Sequence, residues 1–352
     1  MPHKPYQLTN YDRYRTAPSS TSRWGTVALV AASLAAAALY VNAKTRKAEA
    51  DNPPKGKFID IDGVRLHYLE HGVGEPLVLL HGNGITSSDF EACGLLGRAA
   101  EQHRVIAFDR PGFGYSERPR STIWTPEAQA RLLHKALLQL GIERPVVVGH
   151  SWGTLVALAM GLEFKDDVRG LVLMSGYYYP SVRLDVALMS PPAVPIVGDL
   201  LRYTISPLIS RAIWPLASKR IFSPAAVPER FRQLPVWIML RPSQLRASAA
   251  ETALMIPSAL RLYKRYGELT MPVQILVGES DRLISPKHNS ERLEHDLADS
   301  TIKIEADQGH MMHYAHVDDI LAAIETVRSS TSRGIARIDN VAASAHSSLQ
   351  SS

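Results

Sequence analysis

Apolar and polar positions change their rhythm three times along the chain. Residues 24–43 (WGTVALVAASLAAAALYVNA) carry no charge and have the length of a helix that spans a bilayer. Residues 44–57 are polar and contain Pro53, Pro54 and Gly56, the pattern of a linker. From Phe58 short apolar runs begin to alternate with helical stretches. FIDIDGVRLHYLEHG predicts two antiparallel strands turning at Asp62-Gly63. PLVLLHG (76–82), RVIAFDR (104–110), RPVVVGH (144–150) and GLVLMSG (170–176) are continuous apolar runs, as expected of strands buried on both faces of a parallel sheet. Residues 126–140 predict a helix with proline in its first turn.

The alternation stops after Tyr179. Residues 180–267 are rich in proline, with helical apolar patches at 200–216 and 247–266. It resumes with a strand at 272–278, a helix near 286–297, a strand at 301–305 and a last helix near 317–327. Residues 329–352 are rich in Ser and Ala without apolar period, a composition that predicts a disordered tail. The fold class that follows is α/β: a mostly parallel sheet with helices on both faces and an inserted helical lid. The expected division is a polar N-terminus (1–23), a transmembrane signal-anchor helix (24–43), a linker (44–57), a core in two parts (58–176 and 269–328) around the lid (177–268), and the tail (329–352).

Composition adds exclusions. One cysteine, Cys93, rules out an internal disulfide framework and a multi-cysteine metal site. A formal charge of +5 without a long Lys/Arg run excludes the pattern of a nucleic-acid binder. The lid holds twelve Lys/Arg against five Asp/Glu, which reads as solvated helix faces or as a surface for an anionic substrate or membrane. Met174, Met189, Met239 and Met255 read as core filling. Tyr177, Tyr178 and Tyr179 stand at the lid entrance, where they cannot all point inward. Basic residues flank 24–43 almost evenly, so a membrane anchor of undefined orientation competes with a signal peptide cleaved near Val41-Asn42-Ala43, which would leave the protein secreted or periplasmic.

The candidate chemistry lies at strand ends. Gly149-His150-Ser151-Trp152-Gly153 is a G-x-S-x-G between a strand and a helix, a turn that projects a serine hydroxyl from the sheet edge. Serine needs a base. His310, in the loop after the last strand, is the candidate; His313 and His316 fall within or at the start of the last helix. The base needs a carboxylate. Asp281 follows the strand at 272–278, with Glu279 the runner-up and Asp307 a loop-capping alternative. An oxyanion needs donors, which the backbone N–H groups of Trp152 and of Asn83, in the HGNG turn at 81–84, can supply. His81 and His150 read as backbone-positioning residues, and His67, His71, His103 and His134 as surface or packed histidines.

HGNG (81–84), DRPGFGYSERP (109–119), GHSWG (149–153), GESDRLISP (278–286) and GH (309–310), in that order, resemble the α/β-hydrolase superfamily, in its lidded subgroup of esterases, C–C bond hydrolases, haloalkane dehalogenases and epoxide hydrolases. The resemblance spans the body from Phe58 to Val327. It implies Ser151 as nucleophile, Asp281 as acid, His310 as base, Asn83 and Trp152 as the oxyanion hole, and structural roles for Asp109, Gly112 and Gly114. Dehalogenases and epoxide hydrolases of this family carry aspartate as nucleophile, so Ser151 points to acyl transfer on a small or lipophilic ester. A C–C bond hydrolase and a non-catalytic ligand-binding protein of the same fold are the alternatives. The implied chemistry requires no metal or organic cofactor.

Overall fold

The structure, a computed structural model, describes residues 20–330. Most of the polar N-terminus and of the Ser-rich tail lie outside the described residues. Helix α1, Ser20–Asp51, begins before the apolar segment and continues past it, so residues 44–51, expected as linker, form its last two turns. Arg46 and Lys47 face solvent there, while Val41 and Ala48, seven positions apart on one helix face, are buried.

Strands β1 (Lys57–Ile61) and β2 (Val64–His71) form the expected hairpin. Asp62 and Gly63 both take positive φ (51° and 77°), as a tight two-residue turn requires. β3 (Glu75–Leu80), β4 (His103–Phe108), β5 (Val146–His150), β6 (Gly170–Met174), β7 (Val273–Gly278) and β8 (Ser300–Glu305) complete an eight-stranded sheet of order β1-β2-β4-β3-β5-β6-β7-β8. Every pairing from β4 to β8 is parallel. Parallel strands need crossovers. α2 (Ser88–Cys93) and α3 (Leu95–Ala99) join β3 to β4, α4 (Pro126–Gln139) joins β4 to β5, and α5 (Gly153–Glu163) joins β5 to β6. β5 and β6 are buried along their whole length, the reason they read as unbroken apolar runs.

Between β6 and β7 the chain builds a helical block: α6 (Leu184–Met189), α7 (Val197–Tyr203), α8 (Ile205–Phe222), α9 (Glu229–Arg232), α10 (Val236–Met239) and α11 (Pro242–Leu262). Several of its cations form ion pairs at the surface: Arg183 with Asp185, Arg261 with Glu127 and Arg265 with Glu268. A single π-helical turn leads into α12 (Arg292–Asp296), and a last helix, α13, spans 317–330, so Ser329 and Ser330, expected in the tail, are helical.

The end of α1 docks on this block. Tyr40 meets Trp237 edge to face at 6.1 Å, Glu49 pairs with Arg241 at 2.9 Å, and the Tyr115 hydroxyl donates to the Asn52 carbonyl. The span Arg23–Asp51 is the one described helix long and apolar enough to cross a membrane, with a mean hydropathy of 1.8 over its apolar window.

Candidate active site

Ser151 stands where β5 turns into α5, with φ at +52°, a conformation disfavoured for a residue with a Cβ. The turn is held by its neighbours: the Ser151 amide donates to Met174 O at 2.8 Å, and the Ser151 carbonyl accepts from the Thr154 amide and hydroxyl. Gly153 is required by close approach, because a Cβ there would meet Leu80 O at 2.3 Å. The sheet thus fixes both sides of the serine.

Three loops at the same sheet edge then converge. His310 Nε2 lies 2.9 Å from Ser151 Oγ, and His310 Nδ1 lies 2.8 Å from Asp281 Oδ2. The other Asp281 oxygen accepts from the Leu283 and Ile284 amides at 2.8 and 3.0 Å. A carboxylate held on both oxygens fixes the Nδ1–H tautomer, which leaves Nε2 to accept the serine proton. Asp281 and His310 are buried, whereas Glu279 is exposed. His313 lies in a separate short turn, Met312–Tyr314, not in the last helix, and pairs with Asp89 at 2.8 Å; His316 faces Asp319.

Asn83 and Trp152 flank Ser151 in the wall of one cavity of about 280 Å³. Both side chains are tied to α11: Asn83 Nδ2 donates to Ser248 O and Thr252 Oγ1, and the Trp152 indole donates to Glu251 O. Neither backbone amide has a protein acceptor among the described residues. Apolar side chains, among them Ile85, Trp214, Ile221, Phe231 and Met311, line most of the rest, and the Arg183–Asp185 pair also stands in the wall. Met189 and Met255, expected in the core, line this cavity, while Met174 and Met239 are core residues. All three tyrosines at 177–179 are buried, and only Tyr177 reaches the cavity wall.

Support comes from motif residues beside the triad, His81 in the backbone-positioning role expected of it, and from Glu251, which no motif contains. His81 Nε2 accepts from the Arg110 amide at 3.0 Å, and the Arg110 guanidinium donates to the carbonyls of His81 and Gly82. Arg110 is itself paired with Glu251 of α11. Burial, with Arg110 beside it, pushes the His81 imidazole down to about 3, so it stays neutral and keeps its acceptor. Burial, with His313 and His310 nearby, likewise holds His150 well below the ordinary histidine range; its Nε2 approaches His310 O at 3.2 Å. His67 is a packed histidine, the second of the two roles read for it: it is buried at 2.7 Å from Asp109, whose other oxygen accepts from Ser87.

Two groups have the spacing of cation ligands, Asp89-His150-His313 and Glu305-His316-Asp319, with donor atoms within 4.8 Å of each other. Hydrogen bonds already engage them: Asp89 accepts from Tyr314 and faces His313, and Asp319 is shared by His316 and Lys303.

The alpha/beta hydrolase fold model matches residues 75–317. Haloalkane dehalogenase 2 of Mycobacterium bovis is 27% identical over 285 residues, covering 77% of this chain and 94% of the relative. The 2-hydroxymuconate semialdehyde hydrolase of Pseudomonas putida is 38% identical over 130 residues, 36% of this chain and 45% of that one. A solved bacterial membrane phospholipase A has the same fold, with a TM-score of 0.60 at 20% identity over 88% of this chain and 99% of that chain. With the family model covering more than half of its length, the chain belongs to the alpha/beta hydrolase fold family.

Proposed function

We propose that the protein is a membrane-anchored serine hydrolase that cleaves an ester, or a related acyl bond, of a lipophilic small molecule. The observation that carries the reading is the Ser151–His310–Asp281 chain of contacts, 2.9 and 2.8 Å long, opening on an apolar cavity. His310 Nε2 takes the Ser151 proton as Oγ bonds to the acyl carbon. The carbonyl oxygen becomes an oxyanion between the Asn83 and Trp152 amides. Collapse breaks the bond to the leaving group, which takes the proton from His310. Water, deprotonated by His310, then attacks the acyl-enzyme and frees the acid and Ser151. Asp281 orients the imidazole and stabilises its cationic form throughout.

The serine argues against the dehalogenation named for one relative. Displacement of halide by a serine oxygen would leave an ether, which water does not cleave under these conditions, whereas an acyl-serine is hydrolysable. The likeness to the semialdehyde hydrolase keeps C–C bond cleavage as the second reading, since attack on a ketone carbonyl would use the same residues.

Location follows from α1. At 1.5 Å per residue the part of α1 ahead of Tyr40, residues 20–39, extends about 30 Å, the thickness of a hydrocarbon core. The exposed apolar part spans, and the end that docks on the helical block stays outside. The block, read as a lid, exposes Val182, Leu184, Leu188, Ile196, Leu200 and Leu216. Its helices α7 and α8 touch α1, so insertion of α1 would bring this apolar face beside the bilayer, which suits a substrate drawn from lipid.

A fluorophosphonate probe should label the wild type and not Ser151→Ala, and the same substitution should abolish p-nitrophenyl ester turnover. Labelling that persists in Ser151→Ala would overturn the assignment. Turnover of ring-fission diketones but not of esters would select the second reading.

A further inference from the structure

A second cavity, of about 310 Å³, lies between residues 118–124, α7 and α11. Four arginines line it: Arg118 and Arg120 from the loop after β4, Arg202 from α7 and Arg246 from α11. Asp199 is the carboxylate that meets them directly, bridging Arg120 at 2.6 Å and Arg202. Arg118 comes only to 3.9 Å of Glu251, which is already engaged by Arg110. Arg246 donates to the Arg118 carbonyl and forms no ion pair with a carboxylate among the described residues. Five guanidinium groups therefore share two carboxylates, a surplus of three positive charges.

Such crowding is costly unless an anion joins it. Arg202 is 2% exposed, and its Nε has no acceptor. Burial pushes Arg118 down to about 10, even with Glu251 nearby, and Arg110 and Arg246 add to the effect. Burial also lowers Arg246, with Arg120 and Arg202 adding repulsion. The remaining walls are apolar, among them Ile123, Trp124, Ala253 and Leu254.

We propose that this cleft is a binding site for a phosphate group. A phosphate carries about −1.5 to −2 charge at neutral pH and offers several acceptor oxygens, which matches the surplus better than a monocarboxylate does. Guanidinium forks bind such oxygens in pairs, with the geometry that makes arginine the usual choice for phosphate. The cleft is set apart from the chemistry by one helix. Arg246, Ala250, Ala253 and Leu254 of α11 face it, while Ser248, Thr252 and Met255 of the same helix face the Ser151 cavity. Two sources present this chemistry: free phosphate, and the headgroup of a phospholipid reaching the cleft beside α7, which α1 touches.

The test uses the full chain as Ser151→Ala, so that no lipid is consumed. In neutral detergent at constant ionic strength, with chloride as the control, inorganic phosphate should raise Tm saturably. Arg246→Gln should weaken that binding at least tenfold while leaving Tm in chloride near the parent value. Arg120→Gln, on the exposed rim, should weaken it as well and serves if the first variant does not fold. A second arm compares phosphatidylcholine nanodiscs with and without phosphatidic acid. Stabilisation by phosphatidic acid that is lost in the arginine variants assigns the headgroup as the source; binding of free phosphate alone assigns the free anion. No saturable response in either arm, or a response unchanged in both variants, overturns the proposal.

Discussion

Arg110 and Glu251 form a fully buried ion pair that ties the sheet to the helical block directly behind the HGNG turn. Arg110 Nη2 meets Glu251 Oε2 at 3.0 Å, and Gln129 joins both partners at 3.1 and 2.9 Å. The same guanidinium holds the His81 and Gly82 carbonyls, so the pair positions the loop that carries Asn83. Removing one partner strands a charge out of water, which costs about 3–5 kcal/mol. Glu251→Leu should therefore lower unfolding stability by that amount and reduce kcat/KM. Arg110→Met with Glu251→Leu should cost less than the sum of the two single changes. Urea denaturation checks both points, and a Glu251→Leu loss below about 1 kcal/mol would contradict the role given to the pair.

The strain at Ser151 makes a separate prediction. Its φ of +52° costs a residue with a Cβ about 1 kcal/mol, and glycine escapes that cost. Ser151→Gly should thus be more stable than Ser151→Ala by about 1 kcal/mol, with both inactive. Equal urea midpoints for the two variants would show that the turn stores no such strain.

The sheet was legible because its strands are buried on both faces, so β5 and β6 appear as unbroken apolar runs. That Ser151, Asp281 and His310 could meet at one sheet edge was legible from their places after strands, although the sequence left Glu279 beside Asp281; Asp281 is the one that contacts His310, and Glu279 is exposed. The Arg110–Glu251 pair was not legible, because its partners stand 141 positions apart and each looks like an ordinary surface charge. The extent of α1 was hidden for a different reason. Residues 44–51 are polar on the solvent side, and their few packed positions show no apolar run. Met189 and Met255 share the chemistry of core methionines, and only the shape of the helical block puts them on a cavity.

Acid should destabilise the fold earlier than its carboxylates alone would require. His81 and His150 are buried and neutral, and burial depresses both below the ordinary value of about 6.5. A depressed value means that the unfolded chain binds the proton first. Their contribution is intact above about pH 6.5 and is lost as the pH falls, for His81 down to about 3. Asp109, held low by His67 and the Ser87 amide against the effect of burial, adds its own loss only near pH 4 and below, roughly the unfolded carboxylate range. Between pH 6.5 and 4.5, roughly, the slope therefore reports the histidines, at about 1.4 kcal/mol per pH unit for each. His81→Gln should flatten the pH dependence of the urea midpoint in that window; an unchanged slope would rule out the depressed histidine as its source.

The apolar face of the helical block should matter for substrates in a bilayer and not for substrates in water. Leu184 on α6 and Ile209 on α8 are 85% and 55% exposed, and neither lines the Ser151 cavity. A charge placed on a surface that rests against lipid must either drag water with it or hold the surface away, at a cost of a few kcal/mol near the hydrocarbon and less at the interface. The double variant Leu184→Asp/Ile209→Asp should leave hydrolysis of a short, soluble p-nitrophenyl ester within about twofold of the wild type. Hydrolysis of a long-chain ester held in phosphatidylcholine vesicles should fall about tenfold, the equivalent of about 1.4 kcal/mol. With α1 inserted in the vesicles as proposed, wild type and variant are both held there, so the difference isolates the seating of the helical block. Equal losses on the two substrates would mean that the substitutions disturb the fold, and no loss on either would mean that the face meets water in the working enzyme.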